Sequence, residues 1–141
     1  CSDFPRCQDS WWPQMDFDDA FVLWRGLGID YEGGVLDAPA RVAIHYTHRL
    51  GAYVVAALLV ALALAAWYRA RTWPLRLAAA GVLAALAAQL LIGMNLIWQG
   101  WPLWLGTAHN AGAAAVVLAM VAMLRFLTPH SPSGPPPSER G

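Results

Sequence analysis

The sequence predicts an all-α membrane protein in which three spanning helices follow a long polar N-terminal loop. Three observations predict it. The 141 residues are 58% hydrophobic and only 13% charged, too little charge to cover a soluble domain of this length. Three apolar stretches, roughly 39–67, 75–97 and 102–127, are each long enough for a hydrocarbon core of ~30 Å at ~1.5 Å rise per residue. The charges are also segregated: eight of the nine acidic residues lie between Asp3 and Asp37, and no carboxylate occurs from Ala38 to Leu127. All nine basic residues are Arg, and they form no basic face for a nucleic acid.

Residues 1–38 read as an extracytoplasmic loop. Cys1 and Cys7 enclose Ser-Asp-Phe-Pro-Arg, a spacing that fits a short closed ring in an oxidising compartment. A structural disulfide and a redox-active pair are both open readings. Asp16 is placed to cap a short surface helix in which Phe17, Ala20, Phe21 and Trp24 share a face, with Asp18, Asp19 and Arg25 off it. The acidic polar face disfavours lipid headgroups and favours a lid over the protein's own mouth. Tyr31 to Gly34 reads as a turn. With neither an initiator Met nor a basic leader, the sequence reads as a piece of a longer chain with at least one span upstream.

Pro39 suits the first turn of the first span. The connection to the second span carries Arg69, Arg71 and Arg76 without an acid, which makes it cytoplasmic. The connection between the second and third spans, with Trp98, Trp101 and Trp104 as interfacial anchors, is then outside with the acidic loop. Arg125 and the tail return to the cytoplasm. Residues 128–141, rich in Pro and Gly, cannot build a core and read as a disordered cytoplasmic tail; its His130 has no assigned role.

Ionisable groups inside spans need a reason. His48 lies nine residues past Pro39 and His109 seven past Pro102, depths of ~13 and ~10 Å from the outer helix ends. Two imidazoles at matching depth on separate helices can approach one metal from opposite sides. Carboxylates and thiolates are absent from the spans, which disfavours zinc or a hard cation. Two neutral nitrogens in a dry pocket suit haem iron, with His48 and His109 as axial ligands. Ala52, Gly106 and Gly112 are expected to leave slots for the macrocycle, and Arg49 and Arg41 to meet propionates on the outer side. His45, on the same face but nearer water, is expected at the cofactor's polar rim. Gln89 and Gly93 share a stripe of the second span and read first as helix packing, with a substrate contact as the second reading; Asn95 lies near its outer end. The alanines of this span (Ala78, Ala79, Ala80, Ala84, Ala85, Ala87, Ala88) indicate close helix approach.

The ordered set Cys-Ser-Asp-Phe-Pro-Arg-Cys-Gln, Trp11-Trp12-Pro13, Ile44-His45-Tyr46-Thr47-His48-Arg49-Leu50, Gln89-Leu-Leu-Ile-Gly93-Met-Asn95, Trp101-Pro-Leu and His109 resembles haem A synthase, in its second half, over about residues 1–127. That family has two similar four-helix halves. The resemblance implies that this chain supplies the outer loop and last three helices of a four-helix haem-binding bundle, in a bacterial plasma membrane or mitochondrial inner membrane. It implies haem b held by His48 and His109, and carries the loop cysteines over to Cys1 and Cys7. The whole enzyme would oxidise the C8 methyl of haem O to a formyl group, giving haem A for terminal oxidases. The first half has a Glu three residues before its helix His, where this chain has His45, so no catalytic residue is expected here and the fragment alone should be inactive. Implied partners are haem O, the N-terminal half, membrane lipid and haem O synthase. Two other classes fit the residues alone: a bis-His cytochrome b-type carrier without a substrate site, and a non-catalytic assembly protein.

Overall fold

The computed structural model describes residues 1–22 and 36–128, and the described residues form four helices and no strand. They are α1 (Phe17–Ala20), α2 (Ala38–Arg69), α3 (Trp73–Trp98) and α4 (Leu103–Leu127). The three long ones are apolar and long enough to cross a membrane, as the composition requires. The expectations for Trp24, Arg25, the Tyr31–Gly34 turn, His130 and the Pro-rich tail lie outside the described residues.

Each long helix starts on a sequence signal. The Asp37 side chain accepts the Ala40 N–H at 2.9 Å, and prolines occupy the first turns of α2 and α3. Asp16 caps α1 in the same way through the Asp19 N–H at 3.0 Å. That helix is one turn long, shorter than the pattern out to Trp24 anticipated, and Phe17 and Phe21 stack across it with centroids 6.4 Å apart. α3 ends where Gly100, at φ +70°, lets the Trp101 N–H reach back to the Leu96 carbonyl at 2.9 Å. Trp101 itself is held at φ +66°, a conformation that is uncommon for a bulky residue.

α3 is the central element. It packs against both α2 and α4, whereas no Cα of α2 comes within 8 Å of one in α4. At the inner end the three helices meet on small residues: Ala63, Ala66 and Ala70 from the end of α2, Leu75, Ala79 and Val82 from α3, and Met123 from α4. At the outer end α2 diverges from α4, and its first turns (Ala40, Val42, Ala43) are buried. With 32 residues, α2 is ~48 Å long, about half as long again as a bilayer core is thick. Its outer turns therefore extend beyond the hydrocarbon to meet the loop.

The loop is folded tightly onto that end. Cys1 and Cys7 are bonded to each other. Cys7 and Ser10 exchange both backbone hydrogen bonds, at 3.0 and 3.1 Å, around Gln8 and Asp9 at φ +53° and +58°, a type I′ turn built without glycine. The Asp3 carboxylate supports it by accepting the Gln8 N–H at 2.6 Å and the Asp9 N–H at 3.1 Å. The Tyr46 hydroxyl donates to the Trp11 carbonyl at 2.9 Å, and Trp12 packs edge-on against the Tyr46 ring. Phe4 likewise meets Trp98 at the end of α3.

Lost solvation pushes the Asp3 carboxyl up, but the N–H donors of Asp9 and Gln8, with the Arg49 charge, hold it below the usual aspartate range. The sign follows directly. A folded-state pKa below the unfolded value of ~3.9 stabilises the fold at pH values above that, and the gain vanishes as pH falls through the depressed value. Asp3→Asn should therefore lower the melting temperature of the protein at neutral pH. Melting curves collected down a pH series should show the gap from wild type closing below about pH 4; a gap that stays constant would refute the assignment.

Candidate functional site

The outer half of α2 carries His45, His48 and Arg49 within one helical turn, and α4 carries His109 opposite them. Across the space between these helices, the rings of His48 and His109 face each other edge-on, with centroids 6.2 Å apart and planes at 72°. The matching depths read from sequence thus bring the two imidazoles together. α3 holds α2 and α4 apart here, so the gap between the rings is set by the packing of the bundle.

That spacing fits a shared metal. Metal–imidazole bonds of ~2.0 Å, with ring centres ~1.1 Å behind the nitrogens, separate the centres of two opposed ligands by about 6 Å. No cluster of three or more His, Cys, Asp or Glu exists among the described residues, so two nitrogens are the whole of the protein donor set found here. A metal that keeps its other positions filled by a macrocycle matches two protein ligands; a bare ion does not.

α3 supplies the backing of His109. Gln89 and Gly93, one turn apart, both touch it. The Gln89 amide Nε2 lies 3.4 Å from His109 Nε2, and donates to it when the ring proton is on Nδ1. A methyl group on Gly93 would lie 3.0 Å from His109 Cε1 and 3.4 Å from Nδ1, so glycine is what lets the ring rest on the α3 backbone. A methyl group on Gly112 would overlap Gln89 Oε1. Gly112 therefore makes room for the glutamine, and not for a macrocycle as its position beside His109 indicated, while Gly106 does face open space. Gln89 Oε1 and His109 Nδ1 are buried without a hydrogen-bond partner, two polar atoms poised for a change of partner.

The other residues singled out in the sequence have different neighbours. His45 is half-buried and meets the edge of Trp101, centroids 5.0 Å apart, so the unusual backbone of Trp101 places an indole against the rim histidine. Cys1, Arg41, His45 and Trp101 line one shallow outer cavity of about 420 Å³. Arg49 was expected to meet propionates, but its two terminal nitrogens donate to the carbonyls of Arg6 and Asp3 at 2.7 and 2.6 Å. The reason is the fold of the disulfide ring, which covers this face of α2. The Asn95 amide bonds within its own helix, to the Leu91 carbonyl at 2.8 Å. Sequence reasoning missed the Gln89–Gly93 contact with His109. The four-residue spacing of a polar and a small residue was the available signal, and it is shared by ordinary helix packing.

Gly112→Ala should destabilise the protein by about 1–3 kcal/mol through overpacking against Gln89. Pairing it with Gln89→Ala should recover part of that cost in thermal melts. Equal and additive losses would show that the two residues do not meet.

A profile of the cytochrome oxidase assembly protein family matches residues 1–121. The chain is also 34% identical, over 133 residues, to the haem A synthase of Shewanella oneidensis. The match takes in 94% of this chain but 39% of that protein, so the chain spans about two fifths of the length of this relative. No solved structure matches it. With its three apolar helices, the chain is an integral membrane protein. It belongs to the cytochrome oxidase assembly protein family, the haem A synthase relatives that its motifs resemble.

Proposed function

We propose that this chain is the haem b-holding, C-terminal half of a haem A synthase. The observation that carries the reading is the facing of His48 and His109, 6.2 Å apart, on helices that α3 keeps from closing on each other. Family membership supports the same pathway.

His48 Nε2 and His109 Nε2 would ligate the iron from opposite sides. An iron held by two imidazoles has no open position, and so supplies one-electron transfer in place of oxygen binding or substrate capture. Gln89 occupies His109 Nε2 and turns away for that nitrogen to ligate. Gly93 keeps the ring seated against α3 during the exchange. His45 and Trp101 close the outer rim, with the Cys1–Cys7 ring above α2.

In the whole enzyme this half relays electrons to or from haem O, bound in the N-terminal half, whose C8 methyl is oxidised to a formyl group. Residues 1–38 lie outside the membrane and the C-terminus in the cytoplasm, as the arginine distribution favours. Haem O synthase, which would deliver the substrate, is the natural partner.

The reduced-minus-oxidised spectrum of the full-length protein tests the ligand pair. A low-spin b-type band should disappear in His48→Ala and in His109→Ala. A band that survives both substitutions would assign the haem elsewhere. The 141-residue chain alone should convert no haem O; turnover by it would overturn the division between halves.

A further inference from the structure

Arg49 follows His48 directly, on the same turn of α2, and is 8% exposed. A buried guanidinium needs acceptors, and the spans offer no carboxylate. Both of its acceptors, the carbonyls of Asp3 and Arg6, belong to the seven-residue ring closed by Cys1 and Cys7. Phe4 of the same ring lies 5.6 Å from the guanidinium carbon, over its aromatic face. The planar fork of arginine can hold two convergent carbonyls at once, which a lysine cannot.

We propose that Arg49 is a positioning residue that couples closure of the Cys1–Cys7 ring to the setting of His48. The inference rests on the reading of His48 as a haem ligand. Closed, the ring fixes residues 3 and 6 so that their carbonyls converge on the guanidinium. Opening it by thiol–disulfide exchange with a dithiol leaves two thiols here and one disulfide on the donor, with two electrons and two protons transferred. The two carbonyls then lose their fixed separation. Arg49 must find water or other acceptors, and it pulls on the turn of α2 that carries His48. The state of the outer cysteines is thereby read at the ligand without either sulfur touching the cofactor.

The test uses the full-length, haem-loaded protein as wild type, Arg49→Gln, Arg49→Lys, Cys1→Ser with Cys7→Ser, and Arg49→Gln combined with the serine pair. Two readouts are followed: amide hydrogen exchange of residues 2–7 and 44–52, and the g-values of the low-spin haem signal. Opening the ring should speed exchange in both segments by about tenfold and shift the g-values. Arg49→Gln should reproduce both changes, Arg49→Lys should fall between, and adding the serines to Arg49→Gln should change nothing further. If Arg49→Gln shifts the haem signal while opening the ring does not, Arg49 acts on the cofactor directly and the coupling is wrong; additive effects also overturn it. Should wild type show no bis-imidazole signal, the haem reading fails by itself, and the exchange pattern alone still supports or overturns the tether. If the serine pair does not fold, dithiol treatment of wild type opens the same ring.

Discussion

A guanidinium buried at the outer edge of a membrane helix, in a stretch without carboxylates, has to be met by main-chain oxygen. Arg49 meets that requirement by holding the carbonyls of Asp3 and Arg6. The consequences spread outward and inward. Outward, the N-terminal ring is drawn onto α2, where Tyr46, Trp12, Phe4 and Trp98 complete the contact. Inward, the turn that presents His48 is anchored at its next residue. In water a surface arginine would contribute little; at this depth its unmet N–H groups would cost far more than they do in solvent.

The bundle beneath obeys a complementary rule. Where it needs closeness, at the inner end, it uses alanine; where it needs separation, at the outer end, it places α3 between the two histidine helices. Hydrocarbon offers no hydrophobic drive for helices to associate, so packing of small residues does that work. Gly93 and Gly112 extend the same logic to the site, one admitting an imidazole and the other a glutamine amide. Glycine at these positions is a matter of space for a neighbour, not of backbone freedom.

Much of this was legible in the sequence. Long apolar runs, Pro39 and the arginines between the first two spans located the helices to within about two residues of Ala38–Arg69, Trp73–Trp98 and Leu103–Leu127. The facing of His48 and His109 followed from depth alone, because helix rise is fixed. Partners that depend on how a loop folds back were not legible: no periodicity links Arg49 to residues 3 and 6, 43 and 46 positions away. Gly112 was assigned to the wrong neighbour for a related reason. One helix face borders both the cofactor gap and α3, and spacing along the chain does not say which of the two a small residue serves. Trp101 lay beyond sequence reasoning too, since a tryptophan at positive φ runs against its ordinary preference.

Asp3 serves two structures with different parts of itself. Its side chain supports the Gln8–Asp9 turn, and its carbonyl accepts from Arg49. A residue shared in this way makes the turn, the ring and the helix joint a single cooperative unit, because none can open without disturbing the other two. The outer cap is then a small foldon stapled to a membrane helix: it will come away as a whole or not at all, and partial fraying of the kind usual at a chain's polar margins has no low-energy route here.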